Sequence, residues 1–213
     1  MKKLAFTLVF ALSAVVAWAQ YDPKALETLD AMSKKYKTME AFEANIVCNM
    51  TNEIDKVNDE FKGKITVKGN KFRLVLPEQE IFNDGATQWT FLPEPNEVNI
   101  DNYDPNSDDV NPSKILDMYK KGYKYLYIGD KTESGVTCEE IDLVPDKKDA
   151  QYFKIKMMIN KKDKSIQSWT MFNKAGDRYK YTITKFTPGV KVEDAFFQFD
   201  AKKHPNVTIS DLR

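Results

Sequence analysis

The clearest hydrophobic pattern in the chain runs from Phe61 to Pro93 and predicts strands joined by short turns. In its first part, apolar residues alternate with lysine and threonine, which is typical of a strand with one buried and one exposed face. Glycine, proline and an Asp84-Gly85 pair then interrupt three further apolar runs. An Asp-Gly pair between two such runs is a strong hairpin signal. We therefore predict one antiparallel meander.

Segments of the same kind flank the meander. One strand is predicted at Phe42–Met50 before it and another at Glu97–Tyr103 after it. Five more, separated by turns rich in Gly, Asp, Asn and Lys, are predicted at Tyr123–Ile128, Val136–Val144, Tyr152–Ile159, Ser165–Phe172 and Arg178–Phe186. With two helices, about ten strands suit a large curved antiparallel sheet that carries its helices on one side.

Two segments predict helices. The first begins with Asp22 as its N-cap and Pro23 at its first position, and its apolar residues recur at helical spacing up to Tyr36. The second begins with Asn111 as the cap and ends at Gly122. Both have an apolar side, which we expect to cover part of the sheet.

The N-terminus predicts a secretory signal peptide. Two lysines precede an apolar stretch from Leu4 to Val16, and Ala17-Trp18-Ala19 forms a small-x-small cleavage site. The apolar stretch is too short to remain as a membrane anchor. No cysteine lies at the cleavage site, so lipid anchoring is not expected. We therefore expect residues 1–19 to be removed and residues 20–213 to form a single exported, soluble domain.

Charge and cysteine content exclude some functions and leave one question open. The 32 basic residues balance the 32 acidic ones, whereas a nucleic-acid-binding domain needs a strongly basic surface. Cys48 and Cys138 are the two cysteines. In an exported chain they are either small buried strand residues or a disulfide pair, because sequence alone does not supply their distance.

Candidate catalytic and metal-binding groups are scarce. His204 is the one histidine, and the sequence has no nucleophile, phosphate-loop or zinc motif around it, so we predict neither an enzyme nor a bound cofactor. Asp104, Asn106 and Asp108 match the first ligand positions of a calcium-binding EF-hand loop. However, Asp109 replaces the turn glycine and Ile115 the bidentate glutamate. We interpret this segment as a solvated acidic loop and predict no metal site.

An apolar strand face without reactive groups has three interpretations: an ordinary core, a transmembrane barrel, or the lining of a lipid cavity. The barrel is disfavoured because the strands lack matching aromatic girdles and amphipathic helices interrupt them. The first and third interpretations remain open on the residues alone.

Several short motifs occur in the order and spacing of a known family. They are Met39-x-x-Phe42-x-Ala44, Phe61-x-Gly63-x-Ile65-x-Val67-Lys68, Lys71-Phe72-Arg73-Leu74, Asp84-Gly85-x-x-x-Trp89-x-Phe91-x-Pro93, Phe197-x-Phe199 and Val207-x-Ile209-x-Asp211-x-Arg213. Together they resemble the LolA family of periplasmic lipoprotein carriers, and the resemblance covers most of residues 25–213.

The resemblance implies a mainly β fold with α-helices: an unclosed antiparallel barrel of about eleven strands that encloses a hydrophobic cavity, with helices as a lid. It implies a monomeric periplasmic carrier of acylated lipoproteins. The donor would be an inner-membrane lipoprotein-releasing ABC transporter, and the acceptor a receptor or the membrane at the outer membrane. The alternative is a related exported protein on the same scaffold that binds lipid or glycolipid or senses lipoproteins.

The same resemblance leads to candidate site residues. We expect the cavity wall to include Phe42, Ile46, Phe72, Leu74, Leu76, Trp89 and Phe91, and the lid to include Leu26, Leu29, Ile115 and Met118. They are otherwise plain core residues. The family's best-known carriers have an Arg-Pro that holds the lid closed where this chain has Gly69-Asn70. Lys68 is the candidate substitute for that arginine, unless it is an outward-facing strand lysine.

The signal peptide gives a direct prediction about the exported protein. Cleavage after Ala19 leaves Gln20 as the first residue, with an N-terminus that carries no acyl group. The intact mass and N-terminal sequence of protein recovered from the periplasm measure both properties. An acylated protein in the membrane pellet would contradict the prediction.

Overall fold

One continuous β-sheet organises the chain in a computed structural model, which describes residues 21–104 and 114–213. The strands in these ranges are β1 (Ala41–Asn52), β2 (Val57–Lys68), β3 (Lys71–Val75), β4 (Glu80–Asn83), β5 (Thr87–Leu92), β6 (Glu97–Asn102), β7 (Tyr123–Glu133), β8 (Val136–Pro145), β9 (Tyr152–Asn160), β10 (Ile166–Asn173), β11 (Asp177–Pro188) and β12 (Thr208–Asp211).

The spatial order of these twelve strands is β12-β6-β5-β4-β3-β2-β1-β11-β10-β9-β8-β7. Neighbours pair antiparallel, with one exception: β12 pairs with β6 in parallel. In the described residues β7 and β12 are the two edges and do not pair with each other, so the sheet is not closed. The predicted open, mainly antiparallel barrel is confirmed, with twelve strands in place of about eleven. The additional strand is the short β12, whose four residues give little alternating signal.

The predicted first helix is α1 (Pro23–Lys37), the one α-helix in the described residues. Asp22 caps it, because its Oδ1 accepts hydrogen bonds from the backbone N–H groups of Lys24 at 2.8 Å and Ala25 at 3.3 Å. Lysines fill its last turn, where the helix dipole favours positive charge. Its apolar side packs into the concave face of the sheet.

The predicted second helix is wrong in the part that the structure describes. Lys114–Leu116 and Met118–Lys120 form two separate 3₁₀ turns. Asp117 lies between them with φ −132°, outside the helical region. The proposed cap at Asn111 lies outside the described residues, as do Asn106, Asp108 and Asp109 of the acidic loop. We call residues 114–120 the turn segment.

Two apolar clusters lie on opposite faces of the sheet. The larger one fills the concave face and combines α1 residues such as Leu29 and Met32 with strand residues such as Phe72 and Ile155. The smaller one contains Phe82, Phe91 and Val98, with Trp89, Phe199 and Val207 packed against it. Because successive strand residues point to opposite faces, Ile81 belongs to the first cluster while its neighbour Phe82 belongs to the second. The chain after β11, residues 189–213, therefore covers the outside of β4 to β6. We call it the C-terminal segment.

Two leucines on α1 provide a matched test of this packing. Leu29 is 0% exposed within the concave cluster, whereas Leu26, one turn earlier, is 37% exposed. We expect Leu29→Ala to lower the free energy of unfolding by about 2–5 kcal/mol. Leu26→Ala should change it by less than about 0.5 kcal/mol, as at other surface positions. Urea melts of both variants measure the difference, and equal losses would contradict this placement of the helix.

Candidate functional site

A cavity of about 620 Å³ lies on the concave face of the sheet beside α1. Most of its lining is apolar or aromatic: Ile46, Phe61, Phe72, Leu74, Leu76, Ile81, Tyr103, Ile115, Trp169, Met171 and Tyr181. The remaining lining residues are Cys48, Gly63, Gln79, Gln88, Asp101, Asn102 and Asp104. We call this space the main cavity. Its size is within the range of roughly 300–1,000 Å³ that ligand sites occupy.

The period of two along each strand explains how the lining is assembled. Strand β1 contributes Ile46 and Cys48, and β3 contributes Phe72 and Leu74, each pair separated by one residue that points away. Gly63 on β2 leaves room in this wall. A side chain there would approach within 2.7 Å of Leu76 Cδ2 and 3.1 Å of the Val75 carbonyl oxygen. The absence of a side chain at Gly63 thus allows the Leu76 side chain to pack against the β2 backbone.

The polar part of the lining comes from one side of the sheet. Gln88 on β5 and Asp101 on β6 are paired in register. Asn102 follows on β6, and Gln79 immediately precedes β4. The main cavity therefore has an apolar wall from β1 to β3 and β10, and a more polar wall toward β6.

The structure brings together most of the predicted wall. Ile46, Phe72, Leu74 and Leu76 line the main cavity, while Phe42 lines a second pocket nearby. Of the predicted lid residues, Ile115 lines the main cavity. Leu29 is buried in the concave cluster and Met118 packs against it, but neither is a lining residue.

The prediction is wrong for two wall residues, Trp89 and Phe91, which lie on the outer face of the sheet. Phe91 is buried in the outer cluster, where its ring lies 5.3 Å from that of Phe199 and 4.3 Å from that of His204. Trp89 packs against the same cluster. The alternation of β5 is as predicted, but the apolar side faces the C-terminal segment and Gln88 faces the cavity.

The prediction for Leu26 is also wrong. It is partly exposed and borders a small depression of about 270 Å³ with Tyr21, Tyr119 and Tyr125. The helix turns its Leu29 side to the sheet, so Leu26 lies at the edge of the buried stripe and not over the main cavity.

Lys68 does not hold the turn segment. Its Nζ donates to the Val192 carbonyl oxygen at 3.1 Å and pairs with Asp194 Oδ1 at 3.0 Å. Lys71 pairs with the other oxygen of Asp194 at 2.7 Å. The hydrogen bond that Lys68 donates to Asp194 raises the pKa of Lys68, although desolvation opposes the shift. Lys68 thus fastens the C-terminal segment to the ends of β2 and β3, which corrects its predicted role.

Both cysteines are free and buried. Cys48 on β1 is separated from Cys138 on β8 by β11, β10 and β9. Four strand spacings of about 4.8 Å each exceed the Cα separation that a disulfide tolerates. The structure thus supports the first alternative, two small buried strand residues. Cys48 lines the main cavity, and burial raises the pKa of its thiol to about 11, although a hydrogen bond with Tyr181 opposes the shift.

The contact that holds the turn segment is centred on Asp117, which the sequence analysis did not identify. Its Oδ1 accepts from Ser33 Oγ at 2.8 Å and pairs with Lys120 Nζ at 2.9 Å, and its Oδ2 pairs with Lys37 Nζ at 2.7 Å. We call these four residues the Asp117 cluster. Ser33 and Lys37 belong to α1, so the cluster joins the helix to the turn segment. An acid one turn ahead of a lysine is too common a pattern to mark such a contact in a sequence.

The carboxyl group of Asp117 is ionised at neutral pH. Burial opposes its ionisation, but hydrogen bonds from Lys37, Lys120 and Ser33 outweigh burial and lower its pKa below the ordinary value of 3.8. The cluster is therefore fully ionised above that value and is lost only as the pH falls through the lower pKa of the folded state.

A second contact between α1 and the turn segment involves Tyr119. Its hydroxyl donates to Asp30 Oδ1 at 2.5 Å, and burial followed by this hydrogen bond raises the tyrosine pKa to about 12. Ile115 is buried in the concave cluster as well. The turn segment thus rests on a few apolar side chains and a set of polar contacts that water can replace.

Within the described ranges, no group of three or more His, Cys, Asp or Glu side chains is arranged to hold a metal ion. No helix there is long and apolar enough to cross a membrane. The ring of His204 stacks on Phe199 and makes a tilted contact with Phe91, away from the main cavity. The arrangement around the cavity offers apolar contact and hydrogen bonds to a ligand.

Residues 37–200 match the model of one protein family, described as outer membrane lipoprotein carrier protein LolA. No curated protein sequence matches the chain.

Solved structures resemble the fold at low sequence identity. An uncharacterized conserved protein from Thermus thermophilus is 10% identical, with a TM-score of 0.59 over 88% of this chain and 99% of that one. A LolA superfamily protein from Nitrosomonas europaea is 13% identical, with a TM-score of 0.48 over 83% of this chain and 98% of that one. A putative outer membrane lipoprotein-sorting protein domain from Vibrio parahaemolyticus is 11% identical, with a TM-score of 0.45 over 82% and 97% of the two chains.

The Asp117 cluster predicts how access to the main cavity changes with one substitution. In a Cys138→Ser background, Cys48 is the only thiol, and its reaction with a thiol reagent reports opening of the cavity. Asp117→Asn removes two ion pairs but keeps a similar shape. We expect labelling of Cys48 to become about two- to fivefold faster, because a partly exposed ion pair is worth up to about 1 kcal/mol.

Asp163→Asn is the matched control for this experiment. It removes the ion pair that Lys35 of α1 makes with Asp163 at 2.8 Å. Asp163 lies in the turn between β9 and β10 and not in the turn segment. Its labelling rate should stay near that of the parent. Equal rates for the Asp117 variant and the parent would show that the cluster does not restrain access to Cys48.

Proposed function

This chain belongs to the LolA family of outer membrane lipoprotein carrier proteins, and on that premise we propose that it is an exported carrier that shelters the acyl chains of lipoproteins in its main cavity. The observation that carries the proposal is a cavity of about 620 Å³ with a largely apolar wall on the concave face. That wall comes from strands within the matched range 37–200.

The energetics of acyl chains explain why a carrier needs such a cavity. Burial is worth about 0.8 kcal/mol per methylene, so a sixteen-carbon chain gains roughly 12 kcal/mol on leaving water. Spontaneous release of that chain into water is negligible. The carrier therefore receives and delivers its cargo by direct contact with a donor and an acceptor, and its cavity must bind the chain about as strongly as each of them does.

The two parts of the lining have different tasks in this proposal. The β1–β3 and β10 side chains contact the hydrocarbon, and Met171 adapts to it because its unbranched thioether side chain repacks easily. Gln88 and Asp101 offer hydrogen bonds to the polar part of the ligand, where the acyl chains join the lipoprotein.

The turn segment is the part that moves. Leu29 and Met32 of α1 are 0% exposed in the concave cluster, so moving the helix would expose its core side chains to water. The turn segment is held by the Asp117 cluster, by the hydrogen bond from Tyr119 to Asp30 and by burial of Ile115 and Tyr119. Fewer of its side chains are buried than those of α1, and displacement of Ile115 opens the main cavity.

Family membership supports a location between two membranes. We propose a periplasmic location after removal of residues 1–19, an inner-membrane lipoprotein-releasing ABC transporter as the donor, and an outer-membrane receptor or the membrane itself as the acceptor. The chain acts as a monomer and needs no cofactor.

The polar wall of the main cavity favours one alternative, a carrier or sensor of lipid or glycolipid. Gln79, Gln88, Asp101 and Asn102 border the same space as the apolar wall. A sugar or other polar head group would satisfy these side chains. The two functions differ in what the protein contains when it is isolated.

Native mass spectrometry of protein exported in a bacterium with abundant lipoproteins distinguishes them. We expect acylated polypeptide bound to the wild type. Leu76→Trp places a larger, rigid side chain in the main cavity and should lower the bound mass, whereas Val75→Trp, at the neighbouring residue that is 37% exposed, should leave it unchanged. Free lipid or glycolipid in place of polypeptide would support the alternative. Equal amounts of bound ligand in the two variants would show that the main cavity is not the binding site.

A further inference from the structure

A depression of about 270 Å³ lies where the N-terminal half of α1, the turn segment and β7 meet at one edge of the sheet. Four tyrosines border it: Tyr21, Tyr119, Tyr123 and Tyr125. We call it the tyrosine depression. Its volume is slightly below the roughly 300–1,000 Å³ that ligand sites usually occupy, so it has room for a small chemical group.

The backbone fixes the positions of these tyrosines. Tyr21 forms a single parallel bridge with Tyr125, and the Asp22 N–H donates to the Tyr125 carbonyl oxygen at 3.2 Å. Tyr123 and Tyr125 are two residues apart on β7 and therefore lie on the same face of the strand. Tyr119 lies in the turn segment directly before β7. The depression is thus built by three separate parts of the folded chain.

The rings form adjacent sides of a corner. The Tyr125 ring centroid is 5.4 Å from that of Tyr21, with 74° between the planes, and 6.4 Å from that of Tyr119, with 77° between the planes. A compact ligand in such a corner contacts more than one ring. The face of an aromatic ring attracts a cation within about 6 Å of its centroid. One ammonium group is already close by, since Lys120 Nζ lies 5.5 Å from the Tyr119 centroid.

Two carboxylates give the depression a negative charge. Asp30 on α1 and Asp146 after β8 border it, and in the described ranges neither forms an ion pair with a lysine or arginine. Lys120 borders it as well, but its charge is balanced by Asp117 at 2.9 Å. Burial raises the pKa of Tyr125, and the nearby charge of Asp30 raises it further. A ligand in the depression therefore meets aromatic rings together with an excess of negative charge.

We propose that the tyrosine depression binds a small quaternary ammonium group, the chemistry of choline. The methyl groups of such a cation contact several rings at once, and its charge lies close to Asp30 and Asp146. A primary ammonium is smaller and more strongly hydrated, so it gains less from the same corner. None of the residues that border the depression lines the main cavity, so this site is separate from the one that would hold acyl chains.

A sugar is the competing ligand, because sugars also combine contacts to aromatic rings with hydrogen bonds to carboxylates. The flat face of a sugar stacks on the face of one ring, whereas these rings meet at steep angles. A neutral sugar also gains little from two carboxylates that have no cationic partner. Both observations favour a compact cation.

Choline and an uncharged analogue, in which a tert-butyl group replaces the trimethylammonium group, test the proposal because they differ mainly in charge. Titrations of the mature protein, followed by the NMR signals of its tyrosine rings, give both dissociation constants. We expect choline to bind about tenfold more tightly than the analogue, since several rings and two carboxylates contribute to the attraction. Methylammonium and methyl glucoside should both bind more weakly than choline.

Tyr21 offers a matched pair of substitutions, because it is 54% exposed and neither change removes a core residue. Tyr21→Leu removes the ring and should weaken choline binding about two- to fivefold. Tyr21→Phe keeps the ring and should bind choline as the wild type does. Asp146→Asn, at an exposed position, should weaken choline binding too, whereas Leu26→Ala, which removes neither a ring nor a charge, should leave it unchanged.

Several results would overturn the site. They are equal affinity for choline and the uncharged analogue, tighter binding of methylammonium or methyl glucoside, and choline binding that neither Tyr21→Leu nor Asp146→Asn weakens. Sedimentation with phosphatidylcholine vesicles then identifies the source of the ligand. Binding to the vesicles that Tyr21→Leu weakens indicates a lipid head group, and binding of free choline alone indicates a soluble ligand. The carrier function is unaffected by any of these results, because the main cavity has other lining residues.

Discussion

The concave apolar face of the sheet is wider than the one helix that covers it, and the rest of the structure depends on this mismatch. A helix of fifteen residues is about 22 Å long. Hydrogen bonds from Thr28 to Glu139 on β8 and from the Ile166 backbone to the Tyr36 hydroxyl place α1 over the β7–β10 side. Apart from the contact of Tyr36 with Phe42 on β1, the β1–β3 side keeps its apolar residues without a helix above it. The uncovered part is the main cavity.

The two elements above the concave face are held in different ways. The helix α1 is fixed by apolar side chains such as Ala25 and Met32, both 0% exposed, whose exposure to water would be costly. The turn segment buries Ile115 and Tyr119 in the concave cluster, and it adds ion pairs and hydrogen bonds around Asp117, with which water and salt compete. In the turn segment, Asp117 contacts a lysine on each of the two elements, Lys37 of α1 and Lys120.

The outer face of the sheet explains several differences between expectation and structure. The C-terminal segment packs Phe199 and His204 on Phe91, and Asp194 ties it to Lys68 and Lys71. Strands β4 to β6 are therefore covered on the outside, and their inner face is the more polar one. The wall of the cavity gains stiffness on the side where it has no helix. Its inner face there carries the polar side chains of Gln88 and Asp101.

The sequence by itself determined the local structure: the alternation in β2 and β3, the Asp84-Gly85 turn and the Asp22 cap of α1, because each depends on neighbouring residues. The open form of the antiparallel sheet was implied by the resemblance to the LolA family. The wall residues Ile46, Phe72 and Leu74 lie on the one apolar side that alternation predicts for β1 and β3, and the resemblance implied that this side faces a cavity. Alternation cannot say which side is concave when both sides are covered, so Trp89 and Phe91 required the tertiary structure. The partners of Lys68 and Asp117 did as well, because Asp194 is 126 residues from Lys68 and Ser33 is 84 from Asp117. Such contacts arise only when the folded chain brings distant charges together.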